Sequence, residues 1–324
     1  MPTVDVLMTV RNGERFLLEA VESIQRQKMN DWRLIVVDDA STDSTPQLLS
    51  GLATRDARLV ALRGEGRGVA AAANVGLTMV SAPFVMRMDA DDVSMPDRMQ
   101  QQVARLLDNP KVVAVGSYVQ LIDEAGRPLR IRRAPLASQD IRRTLMTRNC
   151  ICHPSSMIRT SALREIGGYR PKFKNSLDYD LWLRLSEVGD IENSSEVLLQ
   201  YRRHQDQISG KRNQHRQTLY SVAAATDFFF RRLHETGVEV QIDEECCSDL
   251  VAKICLLYKA DLVKVDIAAL NRHAIRLLRF ARCISLEDKT RLERSMRPHL
   301  SLMERGKHLL YSLGRRTHGQ ANDI

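Results

Sequence analysis

The chain has 324 residues, of which 44% are hydrophobic and 27% charged, which excludes a disordered or fibrous chain and suffices for one large α/β domain with an appendage, or for two domains. The net charge of +8 is uneven: residues 1–210 carry +2 and residues 211–324 carry +6, so a lipid or polyanion surface would meet the C-terminal part, where a solvated basic helical bundle reads equally well. With only 5% aromatic residues and a near-neutral N-terminal two thirds, the chain lacks obvious stacking platforms, and no nucleic-acid partner is expected.

Thr3–Val10 reads as a strand broken by Arg11-Asn12-Gly13. Phe16, Leu17, Ala20, Val21 and Ile24 then recur at helical spacing. Trp32–Val37 is a second strand ending in Asp38-Asp39, and the capping-rich Ala40-Ser41-Thr42-Asp43 predicts the start of a helix running to about Ala53. Leu59–Leu62 is a short strand, Gly64–Gly68 a flexible turn, Val69–Val80 an alanine-rich helix, and residues 84–88 a fourth strand. This β-α-β-α-β-α-β order predicts a parallel sheet flanked by helices.

Pro96 suits the first turn of a helix that ends at Asn109-Pro110. Val112–Ile122 and Leu129–Arg132 predict a hairpin, Ser138–Met146 a helix, and Pro154–Arg159 an extended segment. Thr160-Ser161 opens a helix closed by Gly167-Gly168, another begins at Leu177, and Val197–Tyr201 is a last strand. From about Lys211 the pattern is helical, with a boundary within 205–215. The six cysteines make no C-x-x-C pair or zinc array, so six reduced thiols in a cytosolic protein are expected. There is no signal-like N-terminus and no apolar run near the ~20 residues that span a bilayer.

The chemistry centres on Phe84-Val-Met-Arg-Met-Asp89-Ala-Asp91-Asp92, an apolar strand that ends in three carboxylates. Crowded carboxylates need a cation to relieve them, and a hard divalent ion holding a phosphate does so; a solvated acidic turn is the plain alternative. Asp38/Asp39 and Asp178/Asp180 also fall at predicted strand ends or helix starts, and in an open sheet such acids converge over one crevice. With no matching basic cluster in the pattern, a metal-assisted site is favoured over an ion-pair network. Neither the G-x-G-x-x-G fingerprint nor a P-loop is present.

Four motifs in order, Val10-Arg-Asn12, Val36-Val-Asp38-Asp39-Ala-Ser41-Thr-Asp43, Met88-Asp89-Ala-Asp91-Asp92 and Asp178-Tyr-Asp-Leu-Trp-Leu-Arg184, resemble family 2 glycosyltransferases, as does Tyr201-Arg-Arg-His204. The resemblance spans residues 3–210. It implies a GT-A-like, Rossmann-type α/β/α sandwich over 1–210, with a mostly helical basic region over 211–324. It implies inverting transfer of a sugar from a nucleotide-diphosphate donor, UDP favoured, to a glycan or lipid-linked acceptor, with Mg²⁺ or Mn²⁺, in bacterial surface polysaccharide synthesis. By the same resemblance Asp178 is the general base, and Val10, Asn12, Asp38, Asp39 and Asp89 meet the nucleotide. Asp91 and His204 hold the metal, and Asp92, His153 and Arg67 position donor or acceptor. Two departures stand out: Leu177 replaces the usual Glu before Asp178, and Ala73 replaces an Arg whose charge Arg67 or Arg87 would have to supply. Asp180 reads as a dipole-favoured acid in a first helical turn.

A receiver-like signalling domain also gathers acids at strand ends, but its acidic pair follows the first strand and its length is about 120 residues. A non-catalytic nucleotide-sugar binder would share every motif except a need for Asp178. Ala268–Cys283 carries Arg272, Arg276 and Arg279 on one helical face beside Leu270, Ala274, Leu277, Leu278 and Ala281. That pattern fits either a helix on an anionic membrane, giving peripheral attachment at the cytoplasmic face, or a helix packed within the protein.

Overall fold

Short β-branched runs between polar breaks form the centre of a mixed sheet. The computed structural model describes residues 1–205, 207, 213–233, 238–260, 266–280 and 283–300. The chain divides into two compact units, Met1–Asn213 and Gln214–Ile324.

In the first unit, β1 (Val4–Val10), β2 (Trp32–Asp38), β3 (Leu59–Arg63) and β4 (Phe84–Asp89) lie parallel in the order β3-β2-β1-β4. The connecting helices are α1 (Leu17–Gln25), α2 (Thr45–Arg55) and α3 (Val69–Leu77). β1 and β4 are buried on both faces, which is why they are near-continuous apolar runs rather than alternating ones. Val10 pairs with Asp38 and Thr9 with Asp89, so the carboxyl ends of three strands finish level with one another. That register, not any single motif, brings the acids of β2 and β4 to one edge.

The sheet then changes character. After the two-residue β5 (Val93–Ser94) come α4 (Arg98–Asp108), β6 (Val112–Ile122), β7 (Pro128–Arg132) and α5 (Ser138–Leu145). β8 (Met157–Arg159), α6 (Thr160–Glu165), α7 (Leu177–Val188) and β9 (Asp190–Arg202) follow. β8 runs antiparallel between β4 and β6, and β9 pairs parallel with β6. Among the described residues the sheet has nine strands. The α/β architecture with a helical C-terminal region matches the expectation, with three refinements. β9 begins seven residues before the expected Val197, because Asp190–Glu196 is a polar stretch that pairs with β6 through two register shifts. Pro154 lies in a 3₁₀ turn, His153–Ser155, so only Met157–Arg159 is strand. Pro96 precedes the helix it was expected to open, which starts at Arg98.

The second unit contains α8 (Gln214–Arg232), α9 (Ser248–Leu257), α10 (Ile267–Phe280) and α11 (Leu286–Met296). α10 packs on α8, and α11 on α9. Leu270, Ala274, Leu277 and Leu278 of α10 are buried, while Arg272 and Arg279 are exposed. The apolar stripe considered for a membrane is therefore the packing face of the helix; Ala281 lies outside the described residues. No helix among the described residues is long and apolar enough to cross a membrane. Cys247 and Cys283 form a disulfide with their Cα atoms 5.7 Å apart, which corrects the reading of six free thiols; Cys150, Cys152, Cys246 and Cys255 are free. The two cysteines are 36 positions apart in sequence, and only the packing of the helices brings them together.

Candidate active site

β4 delivers its acids into a strongly charged interior. Asp89, Asp91 and Asp92 present carboxylate oxygens that all lie within 4.8 Å of one another. The chain turns after Asp89, so these side chains meet across a turn rather than along one extended face. The cluster is not free of basic partners, contrary to the sequence pattern. Arg87, fully buried, donates to Asp89 Oδ1 at 2.9 Å and to the Leu7 carbonyl at 2.7 Å. Arg98, also fully buried, donates to the carbonyls of Arg87 and Ser156 and so braces β4 from α4. Burial lowers the Arg98 pKa to about 9. Arg202 at the end of β9 donates from Nε to the Asp91 carbonyl and from Nη2 to Glu19. His204 Nε2 lies 2.9 Å from Asp91 Oδ2. Periodicity hid these partners because an arginine within a strand or helix pattern reads as a solvent position, whereas Arg87, Arg98 and Arg202 are buried.

Two glycines and two loops build a second wall, around Asp38 and Asp39. Asp39 is buried, and its two oxygens accept from the Gly66 and Gly68 amides at 2.9 and 2.7 Å. Gly66 has φ of 73° and Gly68 of 94°, conformations that favour glycine. Asp38 Oδ1 accepts from the Ser41 amide at 2.9 Å, closing a turn. Asn12 stitches β1 to β2: its amide donates to Ser41 Oγ and its Oδ1 accepts from the Thr42 amide, both at 2.8 Å. The Val10 carbonyl accepts from the Asp39 amide at 2.8 Å. Ser41, Thr42 and Asp43 thus tie loops together, and α2 starts beyond them at Thr45. Arg67 lies on the glycine loop, exposed and paired with Glu65. Of the two arginines considered for the charge missing at Ala73, Arg87 reaches Asp89.

The third wall comes from α7. Asp178 in its first turn is close enough to Asp89 for each charge to matter: burial, then Asp91 and Asp178, raise the Asp89 pKa to about 6, although Arg87 opposes them. Burial also raises the Asp178 pKa from its ordinary value, against hydrogen bonds from the Tyr179 amide and the Asn149 side chain. Asp180 is not a solvated first-turn acid. It is buried between Arg170 and Arg184, an arrangement no local pattern announces. His153, expected toward the acceptor side, is buried and bonded through Nε2 to Tyr169 Oη at 2.8 Å, with the Trp182 ring beside it. Burial holds its pKa well below the usual value, so the ring is neutral. Asn74 holds this layer in place, pairing both ends of its carboxamide with the Tyr169 backbone.

Residues 5–167 match the family model described as glycosyl transferase family 2. The chain belongs to glycosyltransferase family 2. It is 32% identical over 205 residues to the O-antigen biosynthesis glycosyltransferase WbnJ of Escherichia coli, covering 62% of this chain and 80% of WbnJ. It is 30% identical over 214 residues to the amylovoran biosynthesis glycosyltransferase AmsE of Erwinia amylovora, covering 64% of this chain and 79% of AmsE. Among solved structures, residues 1–349 of TarS of S. aureus in complex with UDP-GlcNAc superpose with a TM-score of 0.62, at 16% identity and 93% coverage of each chain. That likeness extends the GT-A-like fold to this chain.

Family 2 enzymes of this fold typically use a divalent metal, and the donor set can be tested against one. Three carboxylates within 4.8 Å offer hard oxygens of the kind Mg²⁺ or Mn²⁺ takes. Asp92 Oδ1 accepts from the Arg202 amide, while its Oδ2 is buried with no partner. A buried, unpartnered carboxylate oxygen beside two further carboxylates fits a cation.

Without metal the same cluster costs stability. Burial, then the Asp91 and Asp89 charges, push the Asp92 pKa well above its ordinary value. The folded chain therefore holds this proton more tightly than the unfolded chain. The stability it brings is present at low pH and is lost as pH rises from the ordinary carboxylate range through the raised value. In metal-free buffer Asp92→Asn, which keeps an acceptor for the Arg202 amide, is expected to raise the melting temperature at pH 7 by ~2–4 °C, about 1 kcal/mol. Scanning calorimetry should show the gap closing toward pH 4; a gap independent of pH would contradict the charge argument.

Proposed function

We propose that this chain transfers a sugar from a UDP-sugar to a hydroxyl of a glycan or lipid-linked acceptor, with inversion, in bacterial surface polysaccharide synthesis. The observation that carries the reading is Asp178, a carboxyl of raised pKa on α7, set against the Asp89/Asp91/Asp92 cluster of β4. The biosynthetic roles that WbnJ and AmsE are named for support the polysaccharide setting, and the TarS complex supports a UDP-sugar donor. In this reading Asp38, Asp39, Val10 and Asn12 frame the uracil and ribose, since acceptor-only carboxylates suit the uracil N–H and ribose hydroxyls. Asp89, steadied by Arg87, faces the ribose. Asp91, His204 and Asp92 would hold Mg²⁺ or Mn²⁺, which when bound neutralises charge on the leaving diphosphate.

The acceptor hydroxyl gives its proton to Asp178 as its oxygen attacks the anomeric carbon. The bond from that carbon to the diphosphate oxygen breaks on the opposite side, which inverts the configuration. Arg202 fixes the Asp91 backbone through its Nε and the Asp92 carboxylate through its amide, so that the two acids that would hold the metal are kept in place. Titration calorimetry with UDP tests the donor half. Affinity is expected to be about tenfold or more higher with Mn²⁺ than without. Equal affinity in both conditions would remove the metal role of Asp91. A panel of nucleotide sugars, read by UDP release, identifies the sugar.

A further inference from the structure

Asp178 does not stand alone. Asn149 follows α5, 29 residues upstream, and its Nδ2 donates to Asp178 Oδ2 at 2.6 Å. The Ile151 amide donates to Asn149 Oδ1 at 3.1 Å. This fixes which way the carboxamide faces. A backbone N–H can only donate, so it must meet the oxygen of the carboxamide, and the NH₂ is then left for the acceptor-only carboxylate. A flipped amide would set oxygen against oxygen at one end and donor against donor at the other.

The other oxygen of Asp178 is held as well. Oδ1 accepts from the Tyr179 amide at 2.8 Å. One donor on each oxygen fixes the carboxylate plane, while an ionised carboxylate has about four lone-pair positions, so sites remain for an incoming hydroxyl. The frame beneath is fixed too: Tyr179 Oη donates to the Leu145 carbonyl at 2.6 Å, joining α7 to the end of the helix that precedes Asn149. Ile151 is buried. Both partners of the Asn149–Asp178 bond are thus anchored on packed structure.

We infer that Asn149 is the positioning residue of the base, holding the Asp178 carboxylate in the orientation from which it takes the acceptor proton. The inference rests on the reading of Asp178 as the base. Arg132 of β7, Asp89 of β4, Cys152 and Tyr169 also lie within electrostatic reach of Asp178. Of these Arg132 favours the ionised form, Asp89 opposes it, and the thiol and phenol are neutral at pH 7. Loss of the Asn149 donor therefore leaves burial and Asp89 less opposed, and the carboxyl titrates at higher pH.

The test is a carboxyl ¹³C titration of the full chain labelled at aspartate, with the Asp178 signal assigned by its absence in Asp178→Asn. In Asn149→Ala the Asp178 midpoint should rise by about one unit or more, the size expected for losing a hydrogen bond to a charged group. Asn149→Ser serves if the alanine variant does not fold. The acid limb of the pH–rate profile, read as UDP release from the donor the panel identifies, should move up by the same amount. UDP affinity should stay within about twofold, since the donor site is untouched. A contact that only pins the loop would lower the melting temperature and leave both pH readings in place, and that result overturns the inference even if Asp178→Asn is inactive. Wild-type turnover in Asp178→Asn would instead overturn the reading of Asp178 as the base, and the positioning role with it.

Discussion

Asp178→Asn is expected to lower turnover by ~10²-fold or more, the usual contribution of a positioned general base, while UDP affinity stays nearly unchanged. The amide keeps the shape of the carboxylate but cannot take a proton. It accepts through only one atom, so one of the two bonds from Asn149 and the Tyr179 amide is lost, and the surrounding donor site is left alone. Asp91→Asn should fail differently. It removes a charge from the acid cluster and weakens metal-dependent UDP binding itself, so the defect shows in calorimetry before any turnover is measured. The wild-type pH profile carries a related signature. Because burial raises the Asp178 pKa, and the base must be ionised to act, activity should fall on acidification at a pH above that of an ordinary aspartate. If the two variants lose binding and turnover in the same proportion, the division of labour between α7 and β4 is wrong.

What could be read from the chain, and what could not, follows from distance along it. The strand–acid junctions at Asp38/Asp39 and Asp89–Asp92 were legible because strand, break and carboxylate are neighbours in sequence, and parallel register then sets their ends level. The pairing of Asn149 with Asp178 left no such mark, since neither residue lies in a pattern that refers to the other. Arg87 was legible only as a stand-in for the charge missing at Ala73; its burial, and that of Arg98, left no mark for a different reason. An arginine in a strand or helix pattern reads as a solvent position, yet both are fully buried, because the carbonyls of Leu7, Arg87 and Ser156 and the Asp89 carboxylate accept hydrogen bonds from their guanidinium groups. The α10 stripe shows the converse limit: an amphipathic pattern states that a face is covered without saying by what, and here α8 covers it.

Asp180 extends the same lesson to stability, and its replacement should have the largest cost outside the reacting groups. The carboxylate is fully buried and is shared by two guanidinium groups. Arg184, one turn later on α7, donates from Nε at 3.0 Å and from Nη2 at 2.8 Å; Arg170 donates from Nε to both oxygens. Arg184 also donates to the Ile166 carbonyl at the end of α6, so this ion network joins α7 to the segment that leads into Tyr169. Asp180→Asn keeps the shape and removes the charge, so the buried Arg184 loses the carboxylate that both its Nε and its Nη2 reach. Breaking one member of a buried pair costs about 3–5 kcal/mol, which corresponds to a fall in melting temperature of roughly 10 °C for a chain of this size. Arg184→Met alone leaves Asp180 paired with Arg170 and should cost less. The double variant Asp180→Asn/Arg184→Met should be more stable than the sum of its parts, because the two residues bond each other directly and that interaction is lost only once. Urea unfolding of the four proteins measures this coupling directly. Strict additivity, or a cost for Asp180→Asn below about 1 kcal/mol, would mean that the network behaves like an exposed surface pair. Since Asp178 sits two residues earlier on the same helix, the network also sets the floor on which the base stands: Asp180→Asn should lower turnover by more than its unfolded fraction accounts for, whereas a remote variant of equal instability should not.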